Sequence, residues 1–209
     1  MQIVKTYVFP KQPYDYTLFV RGINMSGRVD SRRLTPANEV EISEFEKFLG
    51  FELPSGYRDF LSNCNGGVIN PKRASRYVGA DVVKPLAEKP FSDDPSIGID
   101  FFFTLDKASL LDEEDENRRA SRVYSFHLPS AQNIYSALAD DELTKGLENE
   151  KLIYFADGHS FYWLLGCDGK FKNKVLVLNT NLDPETPLDN VAVIADSFDE
   201  FMQSLYFTS

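Results

Sequence analysis

The stretch from Ile42 to Gly67, ISEFEKFLGFELPSGYRDFLSNCNGG, constrains the fold more than any other part of this chain. It holds two amphipathic helices and their stop signals. Ile42, Phe45 and Leu49 fall on one helical face, and Gly50 sits where a left-handed C-cap residue is wanted. Leu53-Pro54 restarts the chain, with Pro54 suited to a first helical turn. Tyr57, Phe60, Leu61 and Cys64 then recur at helical spacing until Asn65-Gly66-Gly67 breaks the pattern. Upstream, Thr35-Pro36 reads as an N-cap followed by a proline at the first helical position.

The rest of the chain divides by texture. Residues 2 to 21 contain two partly alternating segments, QIVKTYVF and YTLFVR, separated by a turn-prone Pro10-Lys11-Gln12-Pro13, which predicts an N-terminal β-hairpin. Residues 22 to 34 are glycine-containing, polar and basic, and read as a linker. Prolines at 71, 85, 90 and 95 exclude a long helix before Ile99–Thr104, IDFFFT, a short buried-strand candidate. Arg122–Leu128 alternates as a strand would, and Ala131–Leu147 can hold one helix. From Lys151 onward, KLIYFA, SFYWLLG and KVLVLN are separated by the turns Asp157-Gly158 and Asp168-Gly169, which predicts an antiparallel meander. VAVIA follows, then a last helix opened by a Ser197/Glu200 capping box, with Phe198, Phe201, Met202 and Leu205 as its buried stripe.

Composition bounds the function. With 209 residues, 43% of them hydrophobic, the chain is long enough to bury roughly 70% of its unfolded surface without a covalent or metal staple. The two cysteines, Cys64 and Cys167, form no disulfide framework, and no segment has the unbroken apolar run of a membrane span, so a soluble cytoplasmic protein is expected. A net charge of -10 argues against nucleic acid and for a basic partner, although the same charge also keeps a protein soluble.

No enzyme motif stands out. The scattered Cys64, Cys167, His127 and His159 lack zinc-ligand spacing, and no metal or cofactor is expected. Asp157-Gly158-His159-Ser160 places acid, base and hydroxyl side by side, but neighbours on a turn point apart and no nucleophile elbow or Walker loop occurs. Asn65-Gly66-Gly67 follows a helix, whereas phosphate loops precede one.

Taken in order, I-x-x-F-E-x-x-L-G, L-P-x-x-Y-x-x-F-L and N-G-G resemble the opening of the Smi1/Knr4 (SUKH) superfamily. The second half is similar as well: Leu152–Gly158, Phe161–Leu165, Gly166–Lys170, Val175–Leu178, and the closing helix with Ser197, Phe198, Phe201 and Leu205. The resemblance runs from about Thr35 to about Phe207, is loose between Pro71 and Pro129, and has no equivalent for residues 1 to 34. It implies an α+β domain over 35–209, with helices around a single curved, largely antiparallel sheet; the hairpin extension and linker of 1–34 are read from the local pattern alone.

By resemblance the function is non-enzymatic protein binding, most often as an immunity protein that neutralises a cognate bacterial toxin domain. A housekeeping scaffold like the eukaryotic cell-wall-signalling members is the alternative, and a hydrolase built from dispersed acids is a third. The candidate contact residues for a basic toxin domain are the acidic Asp93, Asp94, Asp112, Glu113, Glu114, Asp115 and Glu116, together with Tyr162 and Trp163. A solvated loop is the competing reading of the acidic run. Adjacent residues in a strand face opposite ways, so one of Tyr162 and Trp163 is expected buried and the other available, against packing of both under loops. Sequence is compatible with a monomer or weak homodimer. If the acidic run meets the partner, neutralising Asp112, Glu113 and Glu114 lowers the association rate and its salt dependence, as stopped-flow mixing would read.

Overall fold

The computed structural model describes residues 6–20, 22–23, 29–30, 35–69, 78–81, 84–86, 96–103, 105, 146–147, 149–158, 160–182 and 188–207. Its first helices follow the sequence signals closely. Helix α1 (Glu39–Leu49) ends on Gly50, which adopts the left-handed conformation with φ 76°. Helix α2 (Ser55–Asn63) starts directly after Pro54.

The start of α1 departs from expectation, because Asn38 caps it and Thr35 does not. Asn38 Oδ1 accepts from the Val40 and Glu41 amides, both at 3.0 Å, and Glu41 returns the favour by accepting from the Asn38 amide at 2.8 Å. Such a reciprocal box satisfies amides the helix itself leaves without partners. Residues 35–37 are held extended instead, since the Ala37 amide donates to the Leu61 carbonyl at 2.9 Å. Glu46 joins the two helices: it accepts from the Leu53 amide at 2.8 Å and pairs with Arg58, which also reaches Glu39.

The strands form two principal sheets, so the architecture is α+β but the single curved sheet expected from the sequence is replaced by two. A four-stranded antiparallel sheet has the order β1 (Thr6–Tyr7), β14 (Tyr206–Phe207), β6 (Val78–Asp81), β8 (Ser96–Ile99). A six-stranded antiparallel sheet has the order β7 (Lys84–Pro85), β13 (Val191–Ala195), β12 (Val175–Asn179), β11 (Phe161–Gly166), β10 (Leu152–Gly158), β9 (Phe101–Phe102). The segment 96–102 belongs to both: it changes partner at Asp100, leaving β6 and joining β10. The meander from β10 to β13 is antiparallel as expected, but Asp157 and Gly158 pair with Tyr162 and Phe161 inside the ladder and do not form the turn expected of them.

The N-terminal hairpin is not what forms. Thr6–Tyr7 pairs with Tyr206–Phe207, and β2 (Phe19–Val20) pairs with β5 (Val68–Ile69), so the described residues of the two expected hairpin strands find distant partners. Burial explains the choice. Phe9 is inserted in the core, 5.7 Å from both Tyr14 and Phe19, and a local hairpin could not place all three against α2 and α3 (Phe198–Ser204). Tyr14 donates its hydroxyl hydrogen to Asp199 of α3, and the Val8 amide donates to the Leu205 carbonyl at 2.8 Å. Within the segment read as a linker, β3 (Gly22–Ile23) and β4 (Val29–Asp30) pair with each other. The expected strand over 122–128 and helix over 131–147 fall almost wholly outside the described residues.

One core lies between the helices and the sheets, and it is unusually aromatic. Phe60 stacks on Tyr57 at 5.8 Å and meets Phe19, Phe102 and Phe198 at 5.2 to 5.5 Å. Phe201 contacts Phe155 and Trp163 at 5.4 and 5.5 Å. A second cluster covers the opposite face of the six-stranded sheet, with Leu152, Leu164, Leu176, Leu178 and Val191 all buried. Both faces are therefore dry along β12 and β13, which is why KVLVLN and VAVIA are continuous apolar runs with every strand residue buried. At α3, Ser197 accepts from the Glu200 amide at 3.1 Å as expected, but the Glu200 carboxylate accepts from Asp196 rather than Ser197, so the box is displaced by one residue.

The corner after α2 ties these parts together. Asn65, Gly66 and Gly67 have consecutive positive φ values of 53°, 86° and 105°. The buried Asn65 side chain donates to the Thr35 carbonyl at 3.0 Å and accepts from the Leu105 amide at 2.8 Å. A Cβ on Gly66 would lie 2.2 Å from the Phe103 carbonyl oxygen. Asn65→Ala strands two backbone groups and is predicted to destabilise the fold by about 2–4 kcal/mol, while Asn38→Ala loses about 1 kcal/mol of capping; urea unfolding would rank the two.

Candidate functional site

Strand β10 carries an irregularity that a regular strand could not produce. Its register on β11 shifts between Tyr154 and Ala156, a β-bulge. Phe155 and Ala156 consequently both face the helix-side core, and Tyr154 and Asp157, three positions apart, share the opposite face. Asp157 sits directly across from Tyr162 of β11.

The result is a half-buried aromatic and acidic patch. The Tyr154 ring lies 4.5 Å from Phe103 in an edge-on contact and 4.8 Å from Tyr162. Its hydroxyl is buried beside the Asp157 carboxylate without closing a hydrogen bond of regular geometry. Burial raises the Tyr154 pKa, and the negative charge of Asp157 adds to the effect. The Asp157 carboxyl is held above the usual carboxylate range by burial, which outweighs the lowering by the Tyr154 hydroxyl and the Gly158 amide; the neighbouring Asp100 adds a smaller raising effect. Among the described residues no cation balances it.

Asp100 and Asp157 are brought together by the backbone. The Asp100 amide donates to the Asp157 carbonyl at 2.8 Å where segment 96–102 crosses between the sheets. Gly158 is needed at this crossing for space: a Cβ there would lie 2.0 Å from the Gly98 carbonyl oxygen, and Gly158 is not among the glycines with positive φ. Of the two expected D-G turns, only the second uses its glycine for a left-handed conformation, at Gly169 with φ 74°.

The sequence-derived candidates distribute unevenly. Asp93, Asp94 and Asp112 to Glu116 lie outside the described residues. Tyr162 and Trp163 do face opposite sides. Trp163 is fully buried, packed on Phe201, and offers no surface to a partner; Tyr162 is half-buried and contributes to the patch. Tyr154, Phe103, Asp157 and Asp100 are additions that only the bulge and the strand crossing reveal. Cys64 and Cys167 are buried and form no disulfide, and burial pushes the Cys167 thiol up to about 12, which makes it a poor nucleophile. Among the described residues, no three His, Cys, Asp or Glu side chains come close enough to hold a metal ion, and no helix is long and apolar enough to cross a membrane. Tyr7, Val40 and Phe48 are large apolar side chains exposed singly, an ordinary feature of protein surfaces.

Among the described residues, three helices and two principal antiparallel sheets enclose an aromatic interior, an α+β architecture. The sequence matches the SMI1 / KNR4 family (SUKH-1) model over residues 36–204, and the chain belongs to that family. It is also similar to the SPbeta prophage-derived uncharacterized protein YokK of Bacillus subtilis (strain 168), with 26% identity over 133 residues. That match covers 61% of this chain and 66% of the relative.

The raised Asp157 pKa has a definite sign. The folded state holds the proton more tightly than the unfolded chain, so stability falls as pH rises from the ordinary aspartate range, about 3.9, through the folded value. Asp157→Asn removes that penalty. The variant is expected to melt at a higher temperature than the native protein at pH 7, with the difference closing below about pH 4 in paired thermal scans.

Proposed function

We propose that this protein is a non-enzymatic binding module that neutralises a cognate toxin domain, acting as an immunity protein. The observation that carries the reading is the SMI1 / KNR4 (SUKH-1) family match across residues 36–204, the span that includes the whole six-stranded sheet and the three described helices. The relative from Bacillus subtilis is prophage-derived by name, and a mobile element is a natural carrier for a toxin and its antidote. The net charge of -10 favours a basic partner and fast association with it.

The mode of action is occlusion. A rigid surface placed over the partner's active site excludes substrate without any chemistry by the inhibitor, and a densely packed aromatic core supports such a surface because it resists deformation. Electrostatic attraction sets the encounter rate, and a few aromatic anchors set the lifetime of the complex.

The test is rescue of growth. Co-expression with the toxin domain encoded beside this gene should restore viability, and the purified pair should form a one-to-one complex whose association slows steeply with added salt. A neighbouring gene product that remains toxic and does not bind would remove the reading. Stable capture of cell-envelope regulators, with no toxin bound, would replace it with a regulatory scaffold.

A further inference from the structure

We propose that the patch formed by Tyr154, Tyr162 and Asp157 is a receptor for one basic side chain, a lysine or arginine presented by the protein partner. The inference deepens the binding reading above and rests on it for the source of the cation.

Three independent features give the patch a negative potential. The first is the Asp157 carboxylate, half-buried and without a cation among the described residues. The Tyr154 hydroxyl and the Gly158 amide ease its burial but bring no positive charge, so a partner's cation can complete the site. The second is the aromatic pair. Tyr154 and Tyr162 stand 4.8 Å apart with their planes inclined at 53°, and ring faces carry the negative lobes of the quadrupole that attract ammonium and guanidinium groups. The third is Asp100, whose backbone is bonded to that of Asp157 and whose charge adds to the field at that carboxylate.

Geometry favours a side chain over a bare ion. Among the described residues no third metal-ligating group joins the two aspartates, whereas the two tyrosine rings offer contact area to an organic cation. A lysine or arginine brings an alkyl stem that packs on the Tyr154 and Tyr162 rings while its head reaches Asp157. Phe103 backs the Tyr154 ring edge-on at 4.5 Å and holds it in place, so little conformational freedom is lost on binding. The bulge at Phe155–Ala156 is what creates the receptor, because it alone puts the tyrosine and the aspartate on one face.

The binding step can be measured without the toxin. Nα-acetyl-lysine methylamide and Nα-acetyl-arginine methylamide are titrated into the 209-residue protein, with Nα-acetyl-norleucine methylamide as the uncharged control, and NMR shifts of Asp157, Tyr154 and Tyr162 are followed. Saturable shifts at these residues with Kd of about 10 mM are expected for the two cationic amides only. Asp157→Asn should weaken them about tenfold and Tyr162→Leu about threefold. Equal shifts from the norleucine amide, no saturable shift at the patch, or an Asp157→Asn protein that binds as well as native would overturn the proposal. Because the probe is a free amide, failure of the toxin-neutralisation reading leaves this result unchanged, and failure here leaves growth rescue unchanged.

Discussion

The corner at Asn65-Gly66-Gly67 is the constraint on which the rest of the molecule depends. Three consecutive residues with positive φ turn the chain from α2 into the sheets, a conformation that glycine adopts without steric penalty and asparagine tolerates better than most residues. Asn65 then bonds the segment before α1 and the segment after β9 at the same time. Gly67 exchanges two backbone hydrogen bonds with Phe102, at 2.9 and 2.8 Å, which fixes β9 beside the corner. Phe102 reaches from there into the aromatic core, and β9 supplies the edge on which β10 lies. The position of Asp157 thus follows from a turn far away in sequence. Removing a partner from a buried hydrogen bond costs more than the bond is worth in isolation, so this corner has little tolerance for change.

The patch on β10 illustrates a tension between stability and binding. An aspartate that is partly buried and held above the usual carboxylate range weakens the fold at neutral pH. Its surroundings supply what keeps the geometry despite that cost: neighbouring strands buried on both faces, rings packed edge to face, and a glycine where β10 passes close to Gly98. Functional sites are commonly held against local unfavourable terms in this way. The rigid core would also let the surface meet a partner without reorganising.

Much of the fold is legible in the sequence because the signals are local. The stripes of α1, α2 and α3, the left-handed Gly50, the helix-ending Asn65-Gly66-Gly67 and the meander from β10 to β13 all follow from periodicity and turn chemistry. The N-cap of α1 was legible in principle, since Asn38 and Glu41 have the spacing of a reciprocal box, but Thr35-Pro36 offered a competing start of similar quality. Local signals of equal strength are decided by packing, and here the contact of Ala37 with Leu61 decided.

By itself the sequence determined the helices α1, α2 and α3, the strands of the meander from β10 to β13, and that the chain belongs with the SMI1 / KNR4 (SUKH-1) proteins, because each of these depends on residues close together or on an ordered set of motifs. Tertiary structure alone decided that Thr6–Tyr7 pairs with the C-terminal strand, that segment 96–102 divides between two sheets, and that Tyr154 and Asp157 meet. Strand alternation read along KLIYFADG places positions 154 and 157 on opposite faces. A single extra residue in the β10 ladder reverses that, and its position is set by how Phe155 and Ala156 pack under the helices, a long-range choice that no local pattern encodes.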